Sequence, residues 1–158
     1  MAASPLSGEA QALLVIIGKR LEKSGDEFFK DIGLSASQFE IMRILWQQDN
    51  LTLGELSNFC CCAPPNITGL VDRLEKKGLL RRIADLKDRR IARIALTEAG
   101  RNLREPTAEV IERYLSLFQV FQPGELRELV RMLKLFYRHI EGEGAELFID
   151  MLAKQSQE

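Results

Sequence analysis

The chain has 158 residues, of which 46% are hydrophobic and 28% are charged, and its formal net charge is −1. This length suffices for one domain with its own core, and the composition is ordinary for a soluble globular protein. No apolar run is long enough to span a bilayer and no basic-then-apolar leader begins the chain, so we expect a cytoplasmic protein that does not bind membranes. Its three cysteines are consecutive, which is no disulfide framework and fits a reducing compartment.

The first half of the sequence carries signals for helices. Apolar residues at helical spacing predict a first helix over residues 9–30, which Gly33 stops. Two helices then begin at capping boxes, each made of a hydroxyl residue and an acid or amide three positions later: Ser35 with Gln38, and Thr52 with Glu55. The second of these helices is short and is expected to end around Phe59.

A further helix is predicted to begin at Pro64 and to end at Gly78, because proline suits a first helical turn and glycine a helix end. Its buried face carries Ile67, Leu70, Val71 and Leu74. Four residues are placed to point directly away from the core: Pro65, Gly69, Asp72 and Lys76. Three others flank them: Asn66, Thr68 and Arg73. This helix therefore has one apolar face and one face suited to polar contacts.

Positive charge is concentrated in the second half of this helix and in the segment that follows it. Residues 73–93 contain nine Lys or Arg and three acids, a net charge of +6, while the rest of the chain carries −7. Two strand candidates, 80–84 and 91–96, lie in this region and are joined by the charged turn 85–90. A nearly neutral chain with its positive charge on one hairpin suggests a surface for a polyanion.

The C-terminal part of the sequence predicts long helices. Thr97 is placed to cap a helix running to about Phe121 and bent at Pro106, and Gln122 opens another that extends to about Ile140. Residues 145–153 add a final turn or two. These helices carry more apolar side chains than a monomer can bury, so we expect a homodimer.

Short helices followed by a basic hairpin form a helix-turn-helix with a wing. An α-helix fits the major groove of DNA, and an arginine at a hairpin tip can enter the minor groove. Asn66 and Thr68 can bond base edges or phosphates, and Arg73 can reach guanine or the backbone. Gly69 either permits close approach to DNA or is a tolerated surface glycine. Asp72 is placed to orient Arg73, to orient a wing arginine, or to accept from a cytosine amine.

The segments CAPPNITGLVDRLEKKGLL, DLKDRR and IALTEAG, at these spacings, resemble the MarR family of bacterial transcription regulators, and the order of elements agrees over roughly residues 10–140. The resemblance implies a winged helix-turn-helix homodimer that binds a palindromic operator, with the helix from Pro64 as recognition helix. It implies a pair between Asp88 and Arg90 that holds the arginine for minor-groove entry. It also implies a repressor released from DNA by a small-molecule or redox signal.

From these observations we expect a mainly α fold with a small two- or three-stranded β wing. Residues 1–158 form a single domain, with the DNA-binding part over about 34–97 and the helical dimerisation part over about 9–33 and 98–153. The expected DNA-binding residues lie on the recognition helix and the wing: Pro65, Asn66, Thr68, Gly69, Arg73, Lys76, Lys87, Asp88, Arg89 and Arg90. The N-cap position of the recognition helix is Ala63, which is a weak cap.

Other functions find less support in the sequence. No nucleophile with a base, metal-ligand set or phosphate loop is evident, so we expect neither an enzyme nor a bound cofactor or metal. Cys61 is a candidate redox sensor, although adjacent cysteines more often fill a core, and His139 is expected to be packed or solvated. The alternative function is a winged-helix module that binds protein without specific DNA binding.

Overall fold

A computed structural model of the protein describes residues 4–60 and 62–155. The elements follow in the order α1 (Pro5–Phe29), α2 (Ala36–Gln47), β1 (Leu51–Thr52), α3 (Leu53–Phe59), α4 (Pro64–Lys76), β2 (Leu80–Ala84), β3 (Ala92–Leu96), α5 (Glu98–Asn102), α6 (Arg104–Leu115), α7 (Pro123–Glu141) and α8 (Ala145–Gln155). Short 3-10 turns occupy Lys30–Ile32, Ser116–Val120 and Gly142–Gly144. Backbone contacts divide the chain into two compact units, one ending at Tyr114 and the other beginning at Leu115. Among the described helices, none has the length and apolar character needed to cross a membrane.

Local capping signals fix the helix ends as predicted. The Ser35 hydroxyl accepts from the Gln38 amide at 3.2 Å, and the Ser35 amide donates to the Gln38 side chain at 3.2 Å. The box at Thr52 is equally reciprocal, with distances of 3.1 and 2.7 Å to Glu55. Gly33 and Gly78 both adopt left-handed backbone, with φ of +72° and +73°, where a side chain would be strained. The predicted starts of α2, α3 and α4 are therefore confirmed.

The sheet has three antiparallel strands in the order β1-β3-β2. β2 pairs with β3 along its whole length, from Leu80 opposite Leu96 to Ala84 opposite Ala92. The two-residue strand β1 pairs with the other edge of β3 through Leu51 and Ile94. The wing is thus a hairpin whose inner strand is also tied to the chain segment that precedes α3, which confirms the three-stranded form of the predicted fold.

The core of the first unit lies between α2, α3, α4 and the sheet. Its side chains, none exposed by more than 2%, come from each of these elements: Ile41, Met42, Ile44, Leu45, Leu51, Leu56, Ile67, Val71, Leu74, Leu80 and Ile94. The apolar positions of α4 that we predicted to face inward, apart from half-buried Leu70, belong to this set. Burial of one face of α4 leaves its opposite face for contacts outside the core.

The helix predicted from Thr97 to about Phe121 is wrong as a single bent helix. The chain forms α5, breaks at Leu103, continues as α6 and ends in the 3-10 turn Ser116–Val120. Pro106 has no amide hydrogen to donate one turn back, so the helical ladder is interrupted near Leu103. The predicted cap itself is confirmed, because the Thr97 hydroxyl accepts from the Gly100 amide at 3.0 Å.

The second unit contains α7 and α8. Gln122 is the N-cap of α7, and its amide donates to the Glu125 carboxylate at 2.8 Å. Arg138 of α7 bonds Glu146 of α8 at 2.6 Å, and the rings of Tyr137 and Phe148 lie 5.2 Å apart. No residue of α7 is buried, although the helix is strongly amphipathic. Its apolar face is therefore left uncovered within this unit.

Candidate nucleic-acid interface

One face of α4 presents polar side chains to solvent. Pro65, Asn66, Thr68, Arg73 and Lys76 are all exposed, as the sequence predicts for groove contacts. The Thr68 hydroxyl donates to the Pro64 carbonyl at 3.0 Å, which leaves its oxygen to accept from a partner. Ala63 provides no side-chain cap at the start of this helix.

Gly69 and Asp72 are half-buried rather than fully outward-facing as predicted. Arginines of the protein itself cover them. A Cβ on Gly69 would lie 3.7 Å from the guanidinium of Arg73, which is an ordinary contact. The Asp72 carboxylate accepts from the guanidinium of Arg82 at 2.6 Å. Asp72 therefore orients a wing arginine, Arg82, which is one of the three roles predicted for it.

Arg82 joins the wing to α4. It lies in the middle of β2 and bonds the carboxylates of both Asp72 and Glu75, which stand three residues apart on α4. The Arg82 backbone amide adds a third bond to Glu75 at 3.0 Å. Charge-assisted bonds of this kind are the stronger hydrogen bonds in proteins. The orientation of the wing strand relative to α4 is therefore fixed by one side chain and two acids.

The turn at the wing tip is held by Asp85. Its carboxylate accepts from the amides of Lys87 and Asp88 at 2.7 and 3.0 Å and from the guanidinium of Arg93. The Arg93 guanidinium also bonds the Asn50 carbonyl at 2.9 Å, beside β1. The turn then closes through the Asp85 amide, which donates to the Ile91 carbonyl at 2.9 Å.

Asp88 and Arg90 form the pair that the family resemblance implies. The guanidinium of Arg90 makes two bonds to the Asp88 carboxylate, at 3.0 and 2.9 Å, and its amide makes a third at 3.0 Å. The Arg90 side chain nevertheless remains 90% exposed. These bonds lower the pKa of Asp88 below its usual range. Asp88 thus orients the arginine at the wing tip without covering it.

Besides Arg90, which bonds Asp88 but stays 90% exposed, three of the nine basic side chains in residues 73–93 bond other groups of the protein. Arg82 and Arg93 pair with acids, and the Lys77 ammonium bonds the Gly33 carbonyl and, at 3.0 Å, the Gln38 side chain. The other six are exposed on α4, β2 and the wing tip: Arg73, Lys76, Arg81, Lys87, Arg89 and Arg90. The predicted residues therefore lie in two groups, one on α4 and one at the wing tip, which Arg82 connects.

The base of the wing is closed by a backbone contact at Gly100. The Leu79 carbonyl accepts from the Thr97 amide at 3.0 Å, and the Thr97 hydroxyl donates to the Gly78 carbonyl at 2.6 Å. A Cβ on Gly100 would lie 2.1 Å from that Leu79 oxygen. Only glycine allows the first turn of α5 to pack this closely against the end of the α4–β2 connection.

Three structural residues in this region were not identified from the sequence. Arg82 was counted only as positive charge, although alternation along a strand places it opposite to exposed Arg81. Gly100 stands in the segment IALTEAG, whose local pattern indicates no structural role for it. Leu86 is fully exposed at the wing tip, which the charged pattern of the turn does not indicate.

The cysteines and His139 are the remaining sequence candidates. Cys61 lies outside the described residues, so its redox role stays a prediction. Cys60 and Cys62 are half-buried, and the Cys62 carbonyl accepts from the Ser57 hydroxyl at 2.5 Å. His139 is exposed in the last turn of α7, as expected for a solvated histidine.

Acid should loosen the wing through Asp85. Donation by Arg93, followed by the amides of Asp88 and Lys87, lowers the pKa of Asp85 to about 2. Since an unfolded aspartate titrates near about 3.9, this carboxylate stabilises the fold fully above that pH, and the contribution is lost as the pH falls toward about 2. We expect Asp85→Asn to unfold at lower urea concentration than the wild type at pH 7, and this difference to shrink below about pH 4.

Urea unfolding followed by circular dichroism across this pH range measures the effect. Glu112→Gln, which changes an exposed acid of α6, is the control and should leave stability nearly unchanged. A difference between Asp85→Asn and wild type that stays constant with pH would show that the carboxylate charge does not stabilise the wing.

The chain is similar in sequence to known proteins. The profile of the MarR family matches residues 34–92. The chain is 33% identical to the HTH-type transcriptional regulator FarR of Neisseria gonorrhoeae over 102 residues, which cover 64% of this chain and 67% of that protein. It is 28% identical to the homoprotocatechuate degradative operon repressor of Escherichia coli, over 65% of this chain and 70% of the repressor.

The fold of this chain is similar to that of a solved structure. It comes from a study of how 6-hydroxynicotinic acid regulates DNA binding by BpsR of Bordetella bronchiseptica. The TM-score is 0.67 and the identity 25%, and the match covers 78% of this chain and 97% of BpsR.

Proposed function

This chain belongs to the MarR family, and on that premise we propose that it binds an operator as a homodimer through α4 and the wing tip and represses transcription until a small molecule releases it. The protein is a DNA-binding transcription regulator. The observation that carries the proposed contacts is the set of six exposed basic side chains on α4, β2 and the wing tip. A surface of this charge attracts the DNA backbone, while α4 has the dimensions of the major groove.

The proposed contacts divide by chemistry. Asn66, Thr68 and Arg73 are suited to base edges and adjacent phosphates, with Pro65 and Gly69 allowing close approach. Lys76, Lys87 and Arg89 are suited to phosphates, because a flexible positive chain neutralises charge without reading sequence. Arg90, oriented by Asp88, is suited to the minor groove, where the potential of A·T-rich DNA is most negative.

Arg90→Ala should weaken operator binding by about 1–3 kcal/mol and relax the sequence preference beneath the wing. Lys76→Ala serves as a comparison, because it should weaken all sequences evenly and reduce the salt dependence by about one counterion. Fluorescence anisotropy with labelled operator and a scrambled duplex measures both effects. Equal operator affinity for Arg90→Ala and wild type would exclude a base-reading wing and favour the protein-binding alternative.

Uncovered apolar side chains support the homodimer. Leu13, Ile16 and Ile17 on α1 are each at least half exposed, at 51%, 56% and 50%. On α7, Phe136 and Ile140 are exposed by 49% and 61%. Patches of this kind on a folded protein mark an interface. Two wings one helical turn apart would read a palindrome with greater discrimination than a single half-site.

We expect light scattering at micromolar concentration to give twice the 18.0 kDa mass of one chain. Phe136→Glu should shift the population to the monomer, because the interface would have to bury a charge. Leu86→Glu changes a fully exposed apolar residue of the wing tip and should stay dimeric. A wild-type protein that scatters as a monomer would contradict the proposed assembly.

Repression with release by a small molecule is the proposed mode of regulation. A dimer that covers two half-sites excludes other proteins from the same DNA. The E. coli relative is named as a repressor, and the BpsR study names a small acid that regulates DNA binding, which supports this mode for a family member.

Selection of genomic fragments by the purified protein at two salt concentrations tests the function as a whole. A palindrome with half-sites about one helical turn apart and a steep loss of binding with salt are expected. Recovery of random fragments at both concentrations would contradict sequence-specific regulation.

A further inference from the structure

The wing tip carries a leucine among its charged residues. Leu86 is fully exposed, and no other large hydrophobic residue in the described part of the chain is exposed to that degree. The next most exposed are Val120 and Leu6, at 78% and 71%. Single apolar residues on a surface need no special cause. Leu86 differs from them in the fixed backbone beneath it and in the charges around it.

The backbone that carries Leu86 is held in a tight turn. The Asp85 carboxylate accepts from the amides of Lys87 and Asp88 at 2.7 and 3.0 Å, so Leu86 stands at the corner of the turn. The same carboxylate bonds the guanidinium of Arg93. An aspartate that bonds amides ahead of it in the chain is typical of an ordered turn. The backbone of Leu86 is therefore positioned before any partner binds, which lowers the entropic cost of binding.

A second turn follows directly and presents the arginines. The Asp88 carboxylate accepts from the Arg90 amide at 3.0 Å, and the Asp88 carbonyl accepts from the Ile91 amide at 2.9 Å. Arg89 stands at the corner of this turn. Leu86 therefore holds the place in the first turn that Arg89 holds in the second. The wing tip thus presents an apolar corner beside a basic one.

The charges near Leu86 favour a polyanion as its partner. Lys87, Arg89 and Arg90 are all exposed and lie within four residues of it. The minor groove of DNA combines a negative potential with apolar sugar walls, and leucine is among the side chains that can enter between its base pairs. An anionic lipid surface offers a similar combination, but one leucine buries too few methylene groups to hold a protein there. The minor groove therefore fits both parts of the tip.

We propose that Leu86 enters the minor groove beside Arg90, inserts partly between two base pairs, and makes the protein select DNA that unstacks readily beneath the wing. Pyrimidine–purine steps such as TA unstack easily, whereas runs of adenine are stiff. The inference rests on the proposed function. It adds to that function a residue that reads the deformability of DNA rather than its hydrogen-bonding pattern.

An arginine acting alone would favour a different sequence. A run of adenines has a narrow minor groove, whose enhanced negative potential attracts a cation such as Arg90. An inserted leucine disfavours the same run, because its base pairs resist unstacking. The sequence preferred beneath the wing therefore distinguishes insertion of Leu86 from a wing that uses only arginine.

Duplexes that differ only beneath the wing measure this preference. The base pairs bordering each half-site of the selected operator are replaced by runs of adenine, in which one TA step is moved by one base pair at a time. By fluorescence anisotropy, the wild type should bind one register about 10-fold or more tightly than the uninterrupted run. Leu86→Ala should bind all registers alike. Leu86→Met keeps an apolar side chain of similar volume and should retain the preference.

The salt dependence shows whether the leucine acts without charge. Leu86→Ala leaves the net charge unchanged, so its affinity should fall with salt as steeply as that of the wild type. Circular dichroism verifies the fold of both variants, which is not expected to change at so exposed a position. A shallower salt dependence in Leu86→Ala would attribute its loss of affinity to phosphate contacts and overturn the inference.

Unstacking is measured with 2-aminopurine in place of the adenine of the preferred TA step, since this base fluoresces more strongly when it loses its stacking neighbours. Wild-type protein should raise the fluorescence of the duplex. Leu86→Ala, at a concentration that saturates the same duplex, should leave the fluorescence at the level of free DNA. A rise of equal size with Leu86→Ala would overturn the inference.

The same measurements separate this inference from the proposed function. Equal wild-type affinity for every register, with the operator still preferred to a scrambled duplex, would overturn insertion by Leu86 and leave the regulator standing. Loss of sedimentation with phosphatidylglycerol vesicles in Leu86→Ala, together with an unchanged DNA profile, would assign Leu86 to a lipid surface instead. Wild-type protein that binds operator and scrambled duplex alike would overturn the proposed function and the inference with it.

Discussion

Replacing Gly100 with alanine is expected to destabilise the protein by about 4 kcal/mol or more, among the largest effects of a single methyl group. The added carbon would lie 2.1 Å from the Leu79 carbonyl oxygen and 3.1 Å from its carbon. Backbone atoms cannot rotate away as a flexible side chain can. Either α5 or the α4–β2 connection would therefore have to move.

Hydrogen bonds hold both segments in place, so movement of either one would cost free energy. The Leu79 carbonyl is bonded to the Thr97 amide at 3.0 Å, and the Gly78 carbonyl to the Thr97 hydroxyl at 2.6 Å. On the other side, the Gly100 carbonyl accepts from the indole of Trp46 at 2.8 Å. Relief of the clash would break at least one of these bonds.

Thermal and urea unfolding measure this effect, with a midpoint expected to fall by roughly 10 °C or more. Gly54→Ala is the matched control. Its new carbon would meet nothing closer than 3.9 Å, and alanine favours a helix, so the control should be as stable as the wild type or slightly more so. Wild-type stability of Gly100→Ala would show that the two backbones are not in contact.

Arg82→Gln is expected to lower operator affinity about 100-fold, although Arg82 is not among the proposed DNA contacts. Loss of the guanidinium removes charge-assisted bonds to two acids, each bond contributing about 1.5–3 kcal/mol. The wing would no longer be fixed to α4, and the carboxylates of Asp72 and Glu75 would repel nearby phosphates. Both consequences act against binding.

Fluorescence anisotropy with the selected operator measures the loss. The control is Arg81→Gln, which changes the adjacent, exposed arginine. It should lose only the affinity contributed by one phosphate contact, and this loss should depend on salt concentration. Adding Asp72→Asn and Glu75→Gln to Arg82→Gln should restore part of the binding, because the repelling charges are gone. Full affinity of Arg82→Gln alone would show that the wing needs no such anchor.

The parts of the fold that depend on neighbouring residues could be predicted from the sequence. Ser35 and Thr52 each bond an amide three residues later, so their helix starts require no knowledge of tertiary structure. The periodic burial of Ile67, Val71 and Leu74 likewise follows from helix geometry. The candidate DNA-binding residues were found because they share one face or one turn.

Features that depend on distant segments could not be predicted in the same way. Arg82 meets Asp72 only because β2 returns alongside α4, so sequence reasoning left several roles open for that acid. The contact of Gly100 with Leu79 spans 21 positions and gives no local periodicity. Pro106 predicts a bend in this helix, but the sequence does not indicate that the helix is interrupted at Leu103.

The turn at the wing tip closes on itself, since Asp85 organises it from within and Arg93 joins it to the chain beside β1. The roots of the hairpin are secured separately, at Leu79 and Leu96. Residues 86–90 can therefore change in evolution, or be exchanged by design, without altering the fold of the rest of the protein. A duplicated copy of such a regulator could acquire a new operator by change at its tip while its response to a signal is inherited unchanged.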